Sequence, residues 1–235
     1  MTERGRRHIA IAPERFTIGP SALDWDGDRL TITIDEIGMP LPRRVRGTVC
    51  IHPAAITDHV VTLNPAGSHC WWPIAPRARV DVSLSEPALS WSGPGYLDMN
   101  RGDTPLAEGF CNWHWSRAPT QQGAAVLYGG TRRDGSTFDL GWRFDAAGAA
   151  AAITPPPRAR LPASGWRIAR QTCCDAERPA QVLETLEDTP FYARSLVRTF
   201  LAGEEVTAVH ESLSLDRFIN PLVQAMLPFK MPRRG

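Results

Sequence analysis

Apolar and polar residues alternate along most of this chain. In Arg29–Ile37, Leu30, Ile32 and Ile34 fall on one face and threonines on the other, the period-two signature of a half-buried strand. Residues 43–51 repeat the pattern, with Val45, Gly47, Val49 and Ile51 inward and Arg44 and Arg46 outward. The same reading predicts strands at 9–11, 16–18, 59–63, 79–84, 124–128, 137–144, 166–170, 194–201 and 204–215. Turn residues separate them, as in Asp24-Trp-Asp-Gly-Asp28 and Arg133-Asp-Gly135. A short helix is expected only at 216–226, limited by Pro221, and residues 146–157 read as a loop. Many strands without long helical periods predict an all-β, mostly antiparallel chain built as barrels or a sandwich pair.

One stretch stands apart. Residues 91–118 begin with Gly93-Pro94-Gly95, which predicts a turn, and then place Tyr96, Asp98, Asn100, Arg101 and Asp103 close together. They end in Trp113-His-Trp115, two aromatics on one face of a strand. A carboxylate beside tyrosine and tryptophan suits a site, and it equally suits a polar loop next to an aromatic core. Further back, Ser68-His-Cys-Trp-Trp72 puts His69 and Trp71 on a shared face. For His69 alone, a hydrogen-bonded core histidine is the plainer reading.

Composition narrows the classes. Hydrophobic residues make up 43 % and charged residues 22 %, as in ordinary globular proteins. The net charge of +1 gives no basic field for nucleic acid. The five cysteines form no Cys-x-x-Cys, and Cys173-Cys174 is too cramped for an ordinary disulfide, so reduced thiols and a cytoplasmic setting are expected. The polar start Met-Thr-Glu-Arg-Gly-Arg-Arg-His has no apolar h-region of a signal peptide, and the apolar run 146–153 is too short to span a bilayer. Nucleophile-elbow, phosphate-loop and dinucleotide motifs are absent. The six histidines are scattered without zinc spacing, so no metal is expected.

Gly95-Tyr-Leu-Asp-Met-Asn-Arg-Gly102, Pro105-Leu106, Phe110, Trp113, Trp115 and Arg117-Ala118 resemble the carotenoid 1,2-hydratase (hydroxyneurosporene synthase) family. His210-Glu-Ser-Leu-Ser-Leu-Asp-Arg-Phe218 and Met226-Leu-Pro-Phe-Lys-Met-Pro232 resemble that family's C-terminus, while Met1-Thr-Glu-Arg-Gly5 resembles an internal segment of it. The broader group, which includes tocopherol cyclases, implies two lipocalin-like antiparallel β-barrel domains. The expected division is a first domain over 1–105, incomplete at its N-terminus, a second over 106–217, and a tail over 218–235.

The resemblance implies hydration of the terminal C1=C2 double bond of an acyclic carotenoid, neurosporene or lycopene, with no metal or organic cofactor. Its functional His-x-Trp and Tyr-x-Asp fall on His69, Trp71, Tyr96 and Asp98. Asp98 is then the acid, with Asp103 the rival on an exposed turn. Trp71, Trp72, Tyr96, Trp113 and Trp115 would stabilise a tertiary cation, and His69 would orient Asp98 or the attacking water. An alternative is a lipocalin-like binder of an apolar isoprenoid, or an inactive remnant. Because the substrate lives in lipid, the resemblance also implies a peripheral protein on the inner, photosynthetic membrane, and the apolar and basic residues of 222–234 fit an interfacial anchor.

Overall fold

The computed structural model describes residues 5–38, 41–175, 178–201 and 203–227. In chain order its strands are β1 (Ile9–Ala12), β2 (Arg15–Ile18), β3 (Ser21–Trp25), β4 (Leu30–Gly38), β5 (Arg43–Pro53), β6 (Val61–Thr62), β7 (His69–Glu86) and β8 (Ala88–Gly102). A single helical turn, α1 (Leu106–Gly109), precedes β9 (Phe110–Thr120), β10 (Gly123–Arg132), β11 (Thr137–Phe144), β12 (Ala150–Ala152), β13 (Arg158–Leu161) and β14 (Arg170–Cys173). The chain then runs through β15 (Gln181–Asp188), β16 (Tyr192–Leu201) and β17 (Glu204–Ser214) into α2 (Leu215–Phe218) and α3 (Pro221–Met226). The all-β expectation holds, since strands take up 63 % of the described residues and helix 8 %.

Two large sheets contain most strands. The first has the order β1-β2-β3-β4-β5-β7-β6, with β8 paired to β7, and the second β12-β11-β10-β9-β17-β16-β15. Every described ladder register is antiparallel, for example Ile32 opposite Val49 and Tyr128 opposite Trp115. Within the described residues the chain divides into two compact units, 5–57 with 73–98 and 227, and 58–72 with 99–226. The units interleave along the sequence rather than meeting at one cut near residue 105, because β7 and β8 each contribute to both.

In the second sheet the two-residue period decides what is buried. On β16, Ala193, Ser195, Val197, Thr199 and Leu201 point inward, and on β17 Val206, Ala208, His210 and Ser212 do so. The inward face is thus apolar at one end, around Ala118, Ala125, Leu127, Leu201, Val206 and Ala208. It turns polar at the other, where histidine and serine occupy core positions.

Four local expectations are corrected. Gly93-Pro94-Gly95 is not a turn but lies inside β8. Proline is tolerated where a strand has one neighbour, and among the described residues β8 pairs with β7. A Cβ on Gly95 would sit 2.2 Å from Val80 Cγ2, so the close approach of β7 explains the glycine. The strand expected at 166–170 instead begins at Arg170. Residues 150–152, read as loop, pair with β11. The helix expected over 216–226 is two short helices, and the interruption falls just before Pro221, whose ring cannot continue the first one.

Candidate functional site

Alternation along β8 puts Tyr96 and Asp98 on one face, both half-buried. The Tyr96 phenol donates a hydrogen bond to Asp98 Oδ2 at 3.0 Å. That contact occupies one carboxyl oxygen. Asp103, the rival carboxylate, is exposed, and its backbone N–H is tied to the Ser68 carbonyl at 2.9 Å.

His69 opens β7 and is only 3 % exposed. Its Nε2 lies 3.2 Å from the Thr104 carbonyl, which can only accept, so Nε2 carries the proton. Nδ1 then accepts from Ser68 Oγ at 3.2 Å, and Ser68 in turn accepts from Asn64 Nδ2 at 2.7 Å. The imidazole spends both nitrogens on neighbouring chain. Two glycines make room for it. A Cβ at Gly102 would come 2.5 Å from His69 Cδ2, and one at Gly109 3.1 Å from Cε1. These contacts tie the His69 ring to the 102–109 segment.

An aromatic cluster continues from His69. The ring stands edge-on to Phe110 at 5.2 Å, Phe110 meets Phe138 at 5.9 Å, and Phe138 meets Tyr128 at 5.9 Å. Tyr128 receives Trp71 edge-on at 5.8 Å and Trp113 at 6.0 Å. Edge-to-face pairs of this kind add about 0.5–1.5 kcal/mol each beyond burial. Trp71 is fully buried and Trp115 nearly so, whereas Trp72 and Trp113 are half-buried. Trp113, Trp115 and Tyr128 share one face because Tyr128 sits directly opposite Trp115 across the β9–β10 ladder. Phe110 belongs to the stretch that carries the resemblance, but nothing in the local sequence of Tyr128 or Phe138 marks them, and the β9–β10 ladder brings Tyr128 to the tryptophans.

The opposite face of β9 carries residues that sequence reasoning missed. His114 lies opposite Ser212 and Ser116 opposite His210 across the β9–β17 ladder. His114 Nδ1 is 2.9 Å from Ser212 Oγ, Ser212 Oγ is 3.1 Å from His210 Nε2, and His210 Nδ1 is 3.0 Å from Ser116 Oγ. The two imidazoles are stacked, 6.1 Å apart and 7° from parallel. Burial, helped by the Arg158 cation, pulls His114 down to about 4. Burial, then His114 and Arg170, pulls His210 down to about 3. Arg170, itself buried, donates to Ser195 Oγ at 2.9 Å and Thr185 Oγ1 at 3.0 Å. Among the described residues no group of three or more His, Cys, Asp or Glu could hold a metal, and all five cysteines are free thiols.

Two antiparallel sheets, a carboxylate–phenol pair and a buried aromatic cluster define an all-β protein of a type seen in solved structures. One, a crystal structure assigned to AttH from Nitrosomonas europaea, superposes with a TM-score of 0.57 over 88 % of this chain and 72 % of that one, at 13 % identity. At that identity the likeness concerns the fold. The chain belongs to the carotenoid hydratase CrtC family, whose model matches residues 1–235. It is 58 % identical to the acyclic carotenoid 1,2-hydratase of Thiocapsa roseopersicina over 236 residues and 47 % identical to that of Rubrivivax gelatinosus over 237. In both cases the match covers all of this chain and 58 % of the relative's length. The hydratase of Cereibacter sphaeroides is 44 % identical, with 84 % of its length covered.

Proposed function

We propose that this chain carries the hydration chemistry of its family, adding water across the terminal C1=C2 double bond of an acyclic carotenoid such as lycopene or neurosporene. The observation that carries the reading is the Tyr96–Asp98 pair, in a chain so similar to acyclic carotenoid 1,2-hydratases. An alkene is a feeble base, so the acid must hold its proton in place and tolerate losing it. The transferable proton is the carboxyl proton of Asp98, whose Oδ2 accepts from Tyr96. It passes to C2 as the π electrons form the new C–H bond, leaving a tertiary cation at C1. The Tyr96 hydrogen bond strengthens on the carboxylate that remains, since charge-assisted bonds are the stronger kind. Water then forms the C1–O bond and returns its extra proton to Asp98, so the acid is regenerated and one water is consumed.

A cation at C1 favours aromatic faces, each worth ~2 kcal/mol or more when desolvated. Trp71, Trp72, Trp113 and Trp115 are the proposed contributors, with Trp113 and Trp72 the stronger candidates because they are not sealed. His69 is proposed to position rather than to transfer protons, because both ring nitrogens are already engaged. No step requires a metal or organic cofactor.

The substrate partitions into lipid, so the protein is proposed to work at a membrane surface. Among the described residues no helix is long and apolar enough to cross a membrane. Near the C-terminus Ile219 and Leu222 are 54 % and 76 % exposed, apolar side chains suited to an interface. The rest of the expected anchor, residues 228–235, lies outside the described residues.

The test is Asp98→Asn, assayed with lycopene or neurosporene in membranes and read as the 1-hydroxy-1,2-dihydro product by chromatography. The amide cannot deliver a proton, and product should vanish. Wild-type product from a folded Asp98→Asn protein would remove Asp98 as the acid.

A further inference from the structure

The first sheet carries a polar network that no step of the hydration uses. Asp81, on β7, is its centre. Ser92, on β8, donates its hydroxyl to Asp81 Oδ1 at 2.6 Å. Arg79 Nη2 lies 2.6 Å and His52 Nε2 3.0 Å from Asp81 Oδ2. His52 and Arg79 face each other directly across the β5–β7 ladder, so one carboxylate joins three strands. The Ser92 hydroxyl first, then the Arg79 cation, hold the Asp81 carboxyl below the usual carboxylate range, which keeps it an acceptor.

β8 needs such a tie. Among the described residues it pairs with β7. Pro94 has no amide hydrogen to give a ladder, and the glycines on either side of it add backbone freedom. These three residues lie between Ser92 and the Tyr96–Asp98 pair. Two contacts show how side chains alternate across them. Ser92 meets Asp81, whereas a Cβ on Gly95 would meet Val80, whose side chain points to the opposite face of β7. Tyr96 and Asp98 continue that alternation and share the face of Ser92. We propose, on the reading of Asp98 as the hydrating acid, that Ser92 and Asp81 are positioning residues for it: their hydrogen bond clips β8 to β7 and holds the Asp98 carboxyl where it delivers its proton. Arg79 and His52 keep the Asp81 carboxylate aimed at Ser92. A short hydroxyl–carboxylate bond is of the charge-assisted, stronger kind. Ser92 and Asp81 act through the strand and take no part in the proton transfer.

The experiment compares Ser92→Ala with Ser92→Thr, which keeps the hydroxyl, in the full chain. Hydrogen exchange read by mass spectrometry without substrate reports the clip itself. Amides of residues 93–99 should exchange several-fold faster in Ser92→Ala, those of β4 should be unchanged, and Ser92→Thr should restore protection. In the hydration assay kcat should fall about tenfold in Ser92→Ala, inside the ~10²-fold that a small misplacement can cost. KM and the thermal unfolding midpoint should stay at wild-type values, and Ser92→Thr should recover kcat. Adding Asp81→Asn to Ser92→Ala should cost no further turnover, because the bond is already broken. Unaltered exchange, a midpoint that falls in step with turnover, or fully additive losses would overturn the proposal. Asp98→Asn separates it from the reading beneath it. Lost activity there beside wild-type kcat in Ser92→Ala overturns the positioning role alone, whereas a fully active Asp98→Asn overturns both.

Discussion

Two polar assemblies in this molecule use the same two-residue spacing to opposite ends. Tyr96 and Asp98 sit two apart on β8, half-buried, with a phenol bonded to one oxygen of an acid. His210 and Ser212 sit two apart on β17, fully buried, and complete their hydrogen bonds across the ladder with Ser116 and His114. The first pair is local and keeps access. The second is assembled from residues 94 and 98 positions apart and is mostly buried. Burial decides the difference. A group that must exchange a proton with a substrate cannot be enclosed by its own sheet. A group that must keep a fixed tautomer is best enclosed. In one assembly a lost hydrogen bond should appear as lost activity, in the other as lost stability.

The largest effect should come from Asp98→Asn. General acid catalysis contributes typically ~10²–10⁴-fold, and hydration should fall by at least that much with the thermal unfolding midpoint unchanged. Asp103→Asn, on an exposed position, should retain most activity. If the two variants lose activity equally, the pair on β8 is not the special one. Tyr96→Phe comes next. Removing a hydrogen bond to a charged group is worth ~1.5–3 kcal/mol, or about ten- to hundredfold in turnover if it acts in the transition state.

Ser212→Ala should reverse the pattern. It leaves His114 Nδ1 and His210 Nε2 without their shared partner at a position 0 % exposed. Each orphaned group costs ~1–3 kcal/mol, read as a lower denaturation midpoint at unchanged slope. A midpoint equal to wild type would erase the contrast between the assemblies.

Acid should discriminate them more finely. Burial pulls His114 down to about 4 and His210 down to about 3 in the folded protein, below the ordinary histidine value of about 6.5. Between those limits the unfolded chain binds protons that the folded one refuses. Their contribution is therefore fully present above pH ~6.5 and is lost as pH falls toward about 4 and about 3. His59 is also pulled down by burial and adds to the same slope. In His114→Asn the slope of stability against pH between 6.5 and 4.5 should flatten by one proton's worth, and an unchanged slope would show that His114 is not held neutral.

The smallest effect concerns the tail. Each basic group near an anionic surface is worth ~1 kcal/mol, so deleting residues 228–235, with Lys230, Arg233 and Arg234, should shift the protein from pellet to supernatant in liposome sedimentation at low salt. Equal sedimentation would assign membrane contact elsewhere.

Much of this was determined along the chain itself. Period-two alternation located most strands, because a strand's pattern reflects which face is buried whatever its partner is. It also paired Tyr96 with Asp98, His69 with Trp71 and Trp113 with Trp115, since residues two apart share a face regardless of neighbours. Where local rules failed, a partner had overruled them, as when the closeness of β7 turned Gly93-Pro94-Gly95 from a turn into strand. Only the tertiary structure decided which polar residues became interior. His114 lies between two tryptophans that drew attention to the other face of its strand. What gives it meaning is Ser212, almost a hundred residues away, placed opposite it by the β9–β17 register. Alternation assigns a residue to a face but is silent about which strand lies alongside, and a hydrogen bond across a ladder exists only once that neighbour is chosen.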